Sequence, residues 1–138
     1  MLKVMLIDDE QNVLIGLQHL VDWDRLGYTI CGMYQDPAAA LRDAQTLLPE
    51  LVITDIEMPV ISGLDLIASL RELLPDSVCA VLSAYDDFRY AQQAVKLGVF
   101  RYLLKPLSSA DLTDLLNDVS VRLLSGSSTA VAPAAMPV

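Results

Sequence analysis

The sequence lacks the marks of several protein classes. No apolar run approaches the ~20 residues that a membrane-spanning helix needs. The first apolar stretch ends in a run of acids and offers no small-residue cleavage site, so it does not resemble a secretory signal. These absences predict a cytoplasmic protein without a membrane segment.

Basic residues are scarce as well. The 138 residues include 9 lysines and arginines against 18 aspartates and glutamates, which gives a formal net charge of −9 at pH 7. A domain with this charge repels the phosphate backbone of nucleic acids. We therefore expect that it does not bind DNA directly.

The sequence has only two cysteines, Cys31 and Cys79, and both fall in predicted strands. With two other strands between them, as in the sheet order given below, they would be roughly 14 Å apart. A disulfide needs Cα atoms within about 7 Å of each other. The expectation is therefore two buried free thiols, which suits a reducing compartment.

Hydrophobic residues make up 54% of the chain, enough for a packed core, and they follow two alternating spacings. Continuous apolar runs predict five strands, at residues 2–7, 28–33, 51–54, 78–82 and 99–103. Helical spacing predicts five helices, which begin near residue 10, at Pro37, after Gly63, near residue 86 and at Ser108. Strands that are apolar on both faces indicate a parallel sheet covered by helices on each side.

The composition changes at Ser125. The last segment, "SGSSTAVAPAAMPV", carries no charge and consists mostly of small residues and prolines. Such a segment is typical of a linker or a disordered tail. We therefore predict one domain over residues 1–124, followed by a linker or tail over residues 125–138.

Polar residues collect where the predicted strands end. The first strand is followed by Asp8, Asp9 and Glu10, the third by Asp55, the fourth by Ser83 with Ala84 after it, and the fifth by Lys105 with Pro106 after it. Ligands of doubly wound sheets bind beyond the carboxyl ends of the strands. If the first and third strands are neighbours, their carboxylates converge and need a compensating charge. Mg²⁺ suits such an incomplete cage of oxygen ligands, and Lys105 would add a further positive charge.

In combination, the segments "LIDDE", "VITDIEMPVISGLDLI", "VLSAYDD" and "YLLKPL" resemble the receiver domains of two-component response regulators, over residues 2 to about 124. The resemblance implies a flavodoxin-like α/β fold, with five parallel strands in the order 2-1-3-4-5 and five helices on both faces. It implies that Asp55 accepts a phosphoryl group. It also implies a Mg²⁺ site formed by Asp8, Asp9, Asp55 and the backbone carbonyl of Glu57.

The same resemblance implies roles for the residues around the acceptor. Lys105 would contact the phosphoryl group, and its bond to Pro106 would be cis. Ser83 would be the switch hydroxyl and Tyr102 the switch aromatic residue. The positions that tune the lifetime of the phosphoryl group would be Glu57, Ala84 and Tyr85.

The function implied by the resemblance is that of a phosphorelay receiver and not of a conventional enzyme, since the domain would catalyse only its own phosphorylation and dephosphorylation. The donor would be a sensor histidine kinase. Phosphorylation would switch the face formed by helix 4, strand 5 and helix 5. The segment "SAYDDFRYAQQAVKLGVFRYLLKPL" looks like receivers joined to AraC-type DNA-binding domains, so the expected output is transcription through a domain outside this chain.

Helix 4 has two apolar rows, where one packed face needs only one. The rows are Tyr90, Ala94 and Leu97, and Phe88, Ala91 and Val95. One hypothesis is that one row belongs to a phosphorylation-linked homodimer or an effector interface. The alternative is a helix that lies deeper in the core.

Other classes fit the sequence less well. A Rossmann domain would need G-x-G-x-x-G after the first strand, and a P-loop enzyme G-x-x-x-x-G-K-[ST]. A phosphatase of the haloacid dehalogenase type would want Asp-x-Asp after its first strand, where this chain has "DDE". Two alternatives stay open. One is a stand-alone receiver that acts through proteins, and the other is a pseudo-receiver that is never phosphorylated.

Overall fold

The computed structural model describes residues 1–58, 61–84 and 88–125. Three features of the sequence lie outside these ranges. They are Tyr85, the predicted start of helix 4 at residue 86, and the segment 126–138. Within the described ranges, no helix is both long and apolar enough to cross a bilayer.

Five strands and five helices alternate along the described part of the chain. The strands are β1 (Leu2–Ile7), β2 (Tyr28–Tyr34), β3 (Leu51–Asp55), β4 (Val78–Ser83) and β5 (Arg101–Leu104). The helices are α1 (Gln11–Leu20), α2 (Pro37–Leu47), α3 (Gly63–Leu73), α4 (Phe88–Lys96) and α5 (Ser109–Leu124). All strand pairs are parallel and the order is β2-β1-β3-β4-β5. The predicted fold class and strand order are therefore confirmed.

The strand ends differ from the prediction in ways that matter for the site. Strands β3 and β4 each run one residue further than expected, so that Asp55 and Ser83 are the last residues of buried strands. Strand β5 begins two residues later, at Arg101. The reason is that the Val99 N–H donates to the Ala94 carbonyl, which closes the end of α4 before the strand begins.

The sheet separates two apolar layers. On β1, Val4 and Leu6 pack with the buried residues of α1 and α5, while Met5 and Ile7 pack with those of α2, α3 and α4. This alternation follows from the two-residue repeat of a strand. Because both faces of the central strands are covered, the carboxyl ends of β1, β3 and β4 are held rigidly at one edge of the molecule.

Helix α4 shows which of its two apolar rows is packed. Ala94 is 1% exposed and belongs to the core, with Tyr90 and Leu97 packed beside it. In the second row, Val95 is 56% exposed and Ala91 half-buried. The alternative of a helix sunk in the core is therefore wrong for this second row, and the row that could meet a partner contains Ala91 and Val95.

Both cysteines are free thiols, as predicted. Cys79 is buried on β4, and its burial raises the pKa of the thiol to about 12. Cys31 is only half-buried, so the expectation of full burial is wrong for this residue. The cause is its place on β2, which is an edge strand of the sheet.

The start of α3 lies against the end of β3, and this closeness requires a glycine. A side-chain carbon on Gly63 would overlap the Asp55 carbonyl oxygen and would lie 2.8 Å from the Ile56 Cα atom. The Gly63 N–H also donates to the Ile56 carbonyl, at 3.0 Å. The loop that follows Asp55 is thus packed directly on the helix that comes after it.

Gly63→Ala should therefore destabilise the protein. Backbone atoms cannot move aside as a flexible side chain can, and we expect the free energy of unfolding to fall by about 1–3 kcal/mol. The measurement is urea denaturation followed by circular dichroism. The matched control is Gly16→Ala in the middle of α1, where no atom lies within 4 Å of the added carbon. That change should stabilise the helix by about 0.5–1 kcal/mol. Equal stability of Gly63→Ala and wild type would contradict the steric argument.

Candidate functional site

Two buried carboxylates lie side by side at the carboxyl edge of the sheet. Ile7 pairs with Thr54 in the β1–β3 ladder, so the residues that follow them, Asp8 and Asp55, are also neighbours. Asp8 is 0% exposed and Asp55 is 4% exposed. Charged groups are rarely removed from water without a partner, and the surroundings of this pair therefore define the site.

Lys105 supplies the partner. Its Nζ lies 2.9 Å from the Asp8 Oδ2 and 3.3 Å from the Asp55 Oδ1, so one ammonium serves both carboxylates. It reaches them from the loop after β5, the next strand but one from β3, as the sequence predicted. The loop is held in place because the Lys105 N–H donates to the Ser83 carbonyl at 2.7 Å. The Lys105–Pro106 bond is cis, which confirms that expectation.

The electrostatics of the three groups follow from their burial. Burial, helped by the charge of Asp8, raises the pKa of Asp55 to about 6, against the downward pull of Lys105 and of the Glu57 N–H. Burial also raises the pKa of Asp8, although the Glu10 N–H and Lys105 oppose it. Burial alone would lower the pKa of Lys105, but its contacts with the two carboxylates outweigh this effect and the pKa is raised.

The acidic residues after β1 form a compact group of oxygen atoms. One carboxylate oxygen from each of Asp8, Asp9 and Glu10 lies within 4.8 Å of the others. The Glu10 N–H donates to the Asp8 Oδ1, at 2.9 Å, which fixes the turn. Hard oxygen ligands with an excess of negative charge fit Mg²⁺. Asp8 and Asp9 are two of the predicted Mg²⁺ ligands. Glu10 belongs to this group of three carboxylates but is not a predicted ligand. Asp55 is a predicted ligand but does not belong to the group.

The remaining predicted site residues lie at different depths in the structure. Ser83 is fully buried at the end of β4, and Ala84 after it is exposed. Tyr102 on β5 is half-buried and packs on the layer that contains α4. Glu57 is exposed, but its backbone N–H contacts the Asp55 carboxylate. Tyr85 lies outside the described residues.

One contact was not foreseen from the sequence. The Tyr90 hydroxyl of α4 donates to the Glu57 carboxylate, 3.2 Å from the nearer oxygen. The sequence places Tyr90 in an apolar row of α4, for which a partner interface and a place in the core were both open. The available signal was a hydroxyl in a row of otherwise aliphatic residues, but nothing in the sequence pointed to its partner 33 positions away.

Comparison with known proteins agrees with this geometry. The response regulator receiver domain family matches residues 4–117. The chain is 35% identical over 123 residues to the uncharacterized transcriptional regulatory protein YesN of Bacillus subtilis, covering 89% of this chain and 33% of that protein. It is 37% identical over 124 residues to the transcriptional regulatory protein HptR of Staphylococcus aureus, covering 90% of this chain and 48% of that protein.

Solved structures give the same result. The REC domain of AraT, a response regulator from Geobacillus stearothermophilus, superposes with a TM-score of 0.85 at 32% identity, covering 91% of this chain and 97% of that one. A response regulator receiver domain protein from Clostridium thermocellum gives a TM-score of 0.81 at 28% identity, covering 91% and 98%. The chain therefore belongs to the response regulator receiver domain family. It spans less than half the length of the two curated relatives named above.

The raised pKa of Asp55 predicts a pH dependence of stability. Between pH 4 and 6 the folded state holds the Asp55 proton and the unfolded state has lost it, so stability from this group falls as the pH rises through that window. At pH 7 the buried, ionised carboxylate of Asp55 still lowers the free energy of unfolding. We expect Asp55→Asn to raise the free energy of unfolding at pH 7 by up to about 3 kcal/mol.

This expectation is tested by urea denaturation of both proteins from pH 4 to 8, with a chelator present. The advantage of Asp55→Asn should shrink toward zero as the pH approaches 4. Asp114→Asn, which removes an exposed acid of α5, is the matched control and should change stability by less than about 0.5 kcal/mol at every pH. If the free energies of unfolding of wild type and Asp55→Asn differed by the same amount at every pH, the raised pKa of Asp55 would be refuted.

Proposed function

We propose that Asp55 is the phosphoryl acceptor of a two-component signalling pathway. The observation that carries the proposal is the buried Asp8–Lys105–Asp55 arrangement, in which one ammonium stands between two carboxylates. An anion that arrives at Asp55 would meet this ammonium. A site with more negative than positive groups also leaves room for a cation, for which Asp8, Asp9, Asp55 and the Glu57 carbonyl are the proposed ligands.

The proposed reaction is an in-line transfer from a phosphohistidine of a sensor histidine kinase. A carboxylate oxygen of Asp55 attacks phosphorus, the bond between phosphorus and the histidine nitrogen breaks, and its electron pair returns to the imidazole. The product is an acyl phosphate on Asp55. Mg²⁺, when bound, neutralises charge on the phosphoryl oxygens. Lys105 then pairs with the phosphoryl group as a compact point charge.

Two residues near the site, Ser83 and Tyr102, would change position when Asp55 is phosphorylated. The added phosphoryl charge would draw the buried Ser83 hydroxyl toward it. Tyr102 would turn into the space that is left, which would remodel the face of α4, β5 and α5. Among the neighbouring residues, Glu57, Ala84 and Tyr85 would set the lifetime of the acyl phosphate.

A groove beside the proposed acceptor has a shape suited to binding a protein partner. Its volume is about 510 Å³, and it lies between α1 and the loop after β5, with Leu17, Leu20 and Pro106 among its lining. Lys105 lies at one side of it. An apolar groove next to the acceptor is suited to a helix of the kinase that presents its phosphohistidine to Asp55.

The output would lie outside this domain. The named relatives are transcriptional regulators more than twice as long as the matched region. We infer that residues 1–124 form a cytoplasmic receiver, that residues 125–138 form a linker, and that transcription is controlled through a DNA-binding domain and not by this acidic domain. A stand-alone receiver that acts through proteins is the alternative output. A pseudo-receiver is the alternative to phosphorylation itself.

Intact mass spectrometry after incubation with Mg²⁺ and acetyl phosphate tests the acceptor. We expect wild type to gain the mass of one phosphoryl group and Asp55→Asn to gain none, because the acceptor oxygen is missing. The gain should also vanish when a chelator removes the metal. The control is Asp114→Asn, which should gain mass as wild type does. An unmodified wild type would favour the pseudo-receiver.

The exposed row of α4, which contains Ala91 and Val95, is a candidate interface of a phosphorylation-linked homodimer. Val95→Glu adds a charge to the solvent-facing row and should weaken dimerisation of the phosphorylated protein, while its fold stays intact because Val95 is 56% exposed. The buried Ala94 is unsuitable for this test, since a glutamate there would disrupt the core.

Analytical ultracentrifugation of the phosphorylated proteins provides the measurement. Ile15→Glu, at an exposed position of α1 in the opposite layer, is the matched control and should dimerise as wild type does. An unchanged dimer affinity of Val95→Glu would exclude this row from the interface.

A further inference from the structure

The hydrogen bond between Tyr90 and Glu57 connects α4 to the loop that carries the acceptor. The Tyr90 Oη lies 3.2 Å and 3.4 Å from the two carboxylate oxygens of Glu57. We propose that Tyr90 is a positioning residue for phosphoryl transfer, which holds the Glu57 carboxylate beside α4 and off the path by which an anionic phosphodonor reaches Asp55. This inference rests on the proposed function of Asp55.

The backbone around Glu57 is already fixed without Tyr90. Its neighbours Ile56 and Met58 are both buried. The Ile56 N–H donates to the Leu82 carbonyl at 2.9 Å, and the Ile56 carbonyl accepts from the Gly63 N–H at 3.0 Å. Because the main chain is anchored on both sides, loss of the Tyr90 contact would release the side chain of Glu57 and not the loop.

Tyr90 is well placed to hold that side chain. Its ring is half-buried and packs on the apolar layer that includes Ala94, so the position of its hydroxyl follows the position of α4. Tyr90→Phe would keep this packing and remove only the hydroxyl. The change therefore tests the polar contact with Glu57 without a loss of packing.

The orientation of the Glu57 side chain matters because this side chain carries a negative charge. Its backbone N–H touches the Asp55 carboxylate, so its side chain begins directly at the acceptor. The site already holds the carboxylates of Asp8 and Asp55 against a single Lys105 ammonium. A released Glu57 carboxylate would add a negative charge near the entrance and would repel a phosphodonor, which is itself an anion.

The experiment measures the second-order rate constant for phosphorylation of the full chain by acetyl phosphate with Mg²⁺, by intact mass. Tyr90→Phe should lower it about two- to five-fold at an ionic strength of about 0.03 M, from the repulsion between a carboxylate and a dianion some 7 Å apart. The difference should nearly disappear at about 1 M, where screening reaches only a few ångströms. A purely structural role would not depend on salt in this way.

A double-mutant cycle identifies Glu57 as the group through which Tyr90 acts. Glu57→Gln should phosphorylate faster than wild type, because it removes a carboxylate close to the donor and keeps the backbone carbonyl that is a proposed metal ligand. In the Glu57→Gln background, Tyr90→Phe should have no further effect, because a neutral side chain does not repel the donor. The matched control is Tyr34→Phe, which removes a similar hydrogen bond to the Asp43 carboxylate on α2, 2.8 Å long. It should leave the rate constant unchanged.

The outcomes separate this inference from the function on which it rests. Equal rate constants for Tyr90→Phe and wild type, or an equal loss in the Glu57→Gln background, would overturn the positioning role while leaving Asp55 as acceptor. A loss that persists at high salt would overturn it as well. A wild type that gains no mass would overturn the proposed function and this inference together.

Discussion

The placement of the Lys105 ammonium between Asp8 and Asp55 is the constraint on which the rest of the structure depends. Both carboxylates are buried, and neither could stay ionised there without a nearby cation. The cation comes from the loop after β5, and β4 lies between that strand and β3. The contact therefore exists only if β1, β3, β4 and β5 end at the same edge of the sheet and are neighbours in that order. One ammonium against two carboxylates also leaves the site negative, which favours the binding of a divalent cation. In the proposed function this cation would offset the negative charge of the incoming phosphoryl group.

The main chain beside Asp55 is fixed by contacts in the described residues. Gly63 lets α3 approach β3, and the Ile56 and Lys105 N–H groups both donate to carbonyls of β4. If Asp55 accepts a phosphoryl group as proposed, we expect these contacts to oppose a large movement of the main chain at Ile56 and Lys105. The adaptable parts are therefore side chains, and the candidates are the Ser83 hydroxyl, the Tyr102 ring and the Glu57 carboxylate.

Much of this arrangement could be predicted from local pattern. Apolar runs and helical spacing gave the five strands and helices, and parallel strands bring their carboxyl ends together. What the pattern could not give depends on partners distant in sequence. The start of β5 depends on a bond from Val99 to α4, the exposure of Cys31 on the edge position of β2, and the contact of Tyr90 with Glu57 on how α4 meets a loop. Periodicity contains none of this information.

The two faces of helix α4 have different surroundings. Its inner row contacts the loop after Asp55 through Tyr90 and the core through Ala94, while Val95 faces solvent. A partner bound to the outer face and a phosphoryl group on Asp55 would then act on the same element. Coupling between two sites is reciprocal, so a partner that prefers one position of α4 must also alter the phosphorylation equilibrium of Asp55. We expect the contact of the Tyr90 hydroxyl with the Glu57 carboxylate to be one route for such coupling, because it joins α4 to the loop that follows Asp55.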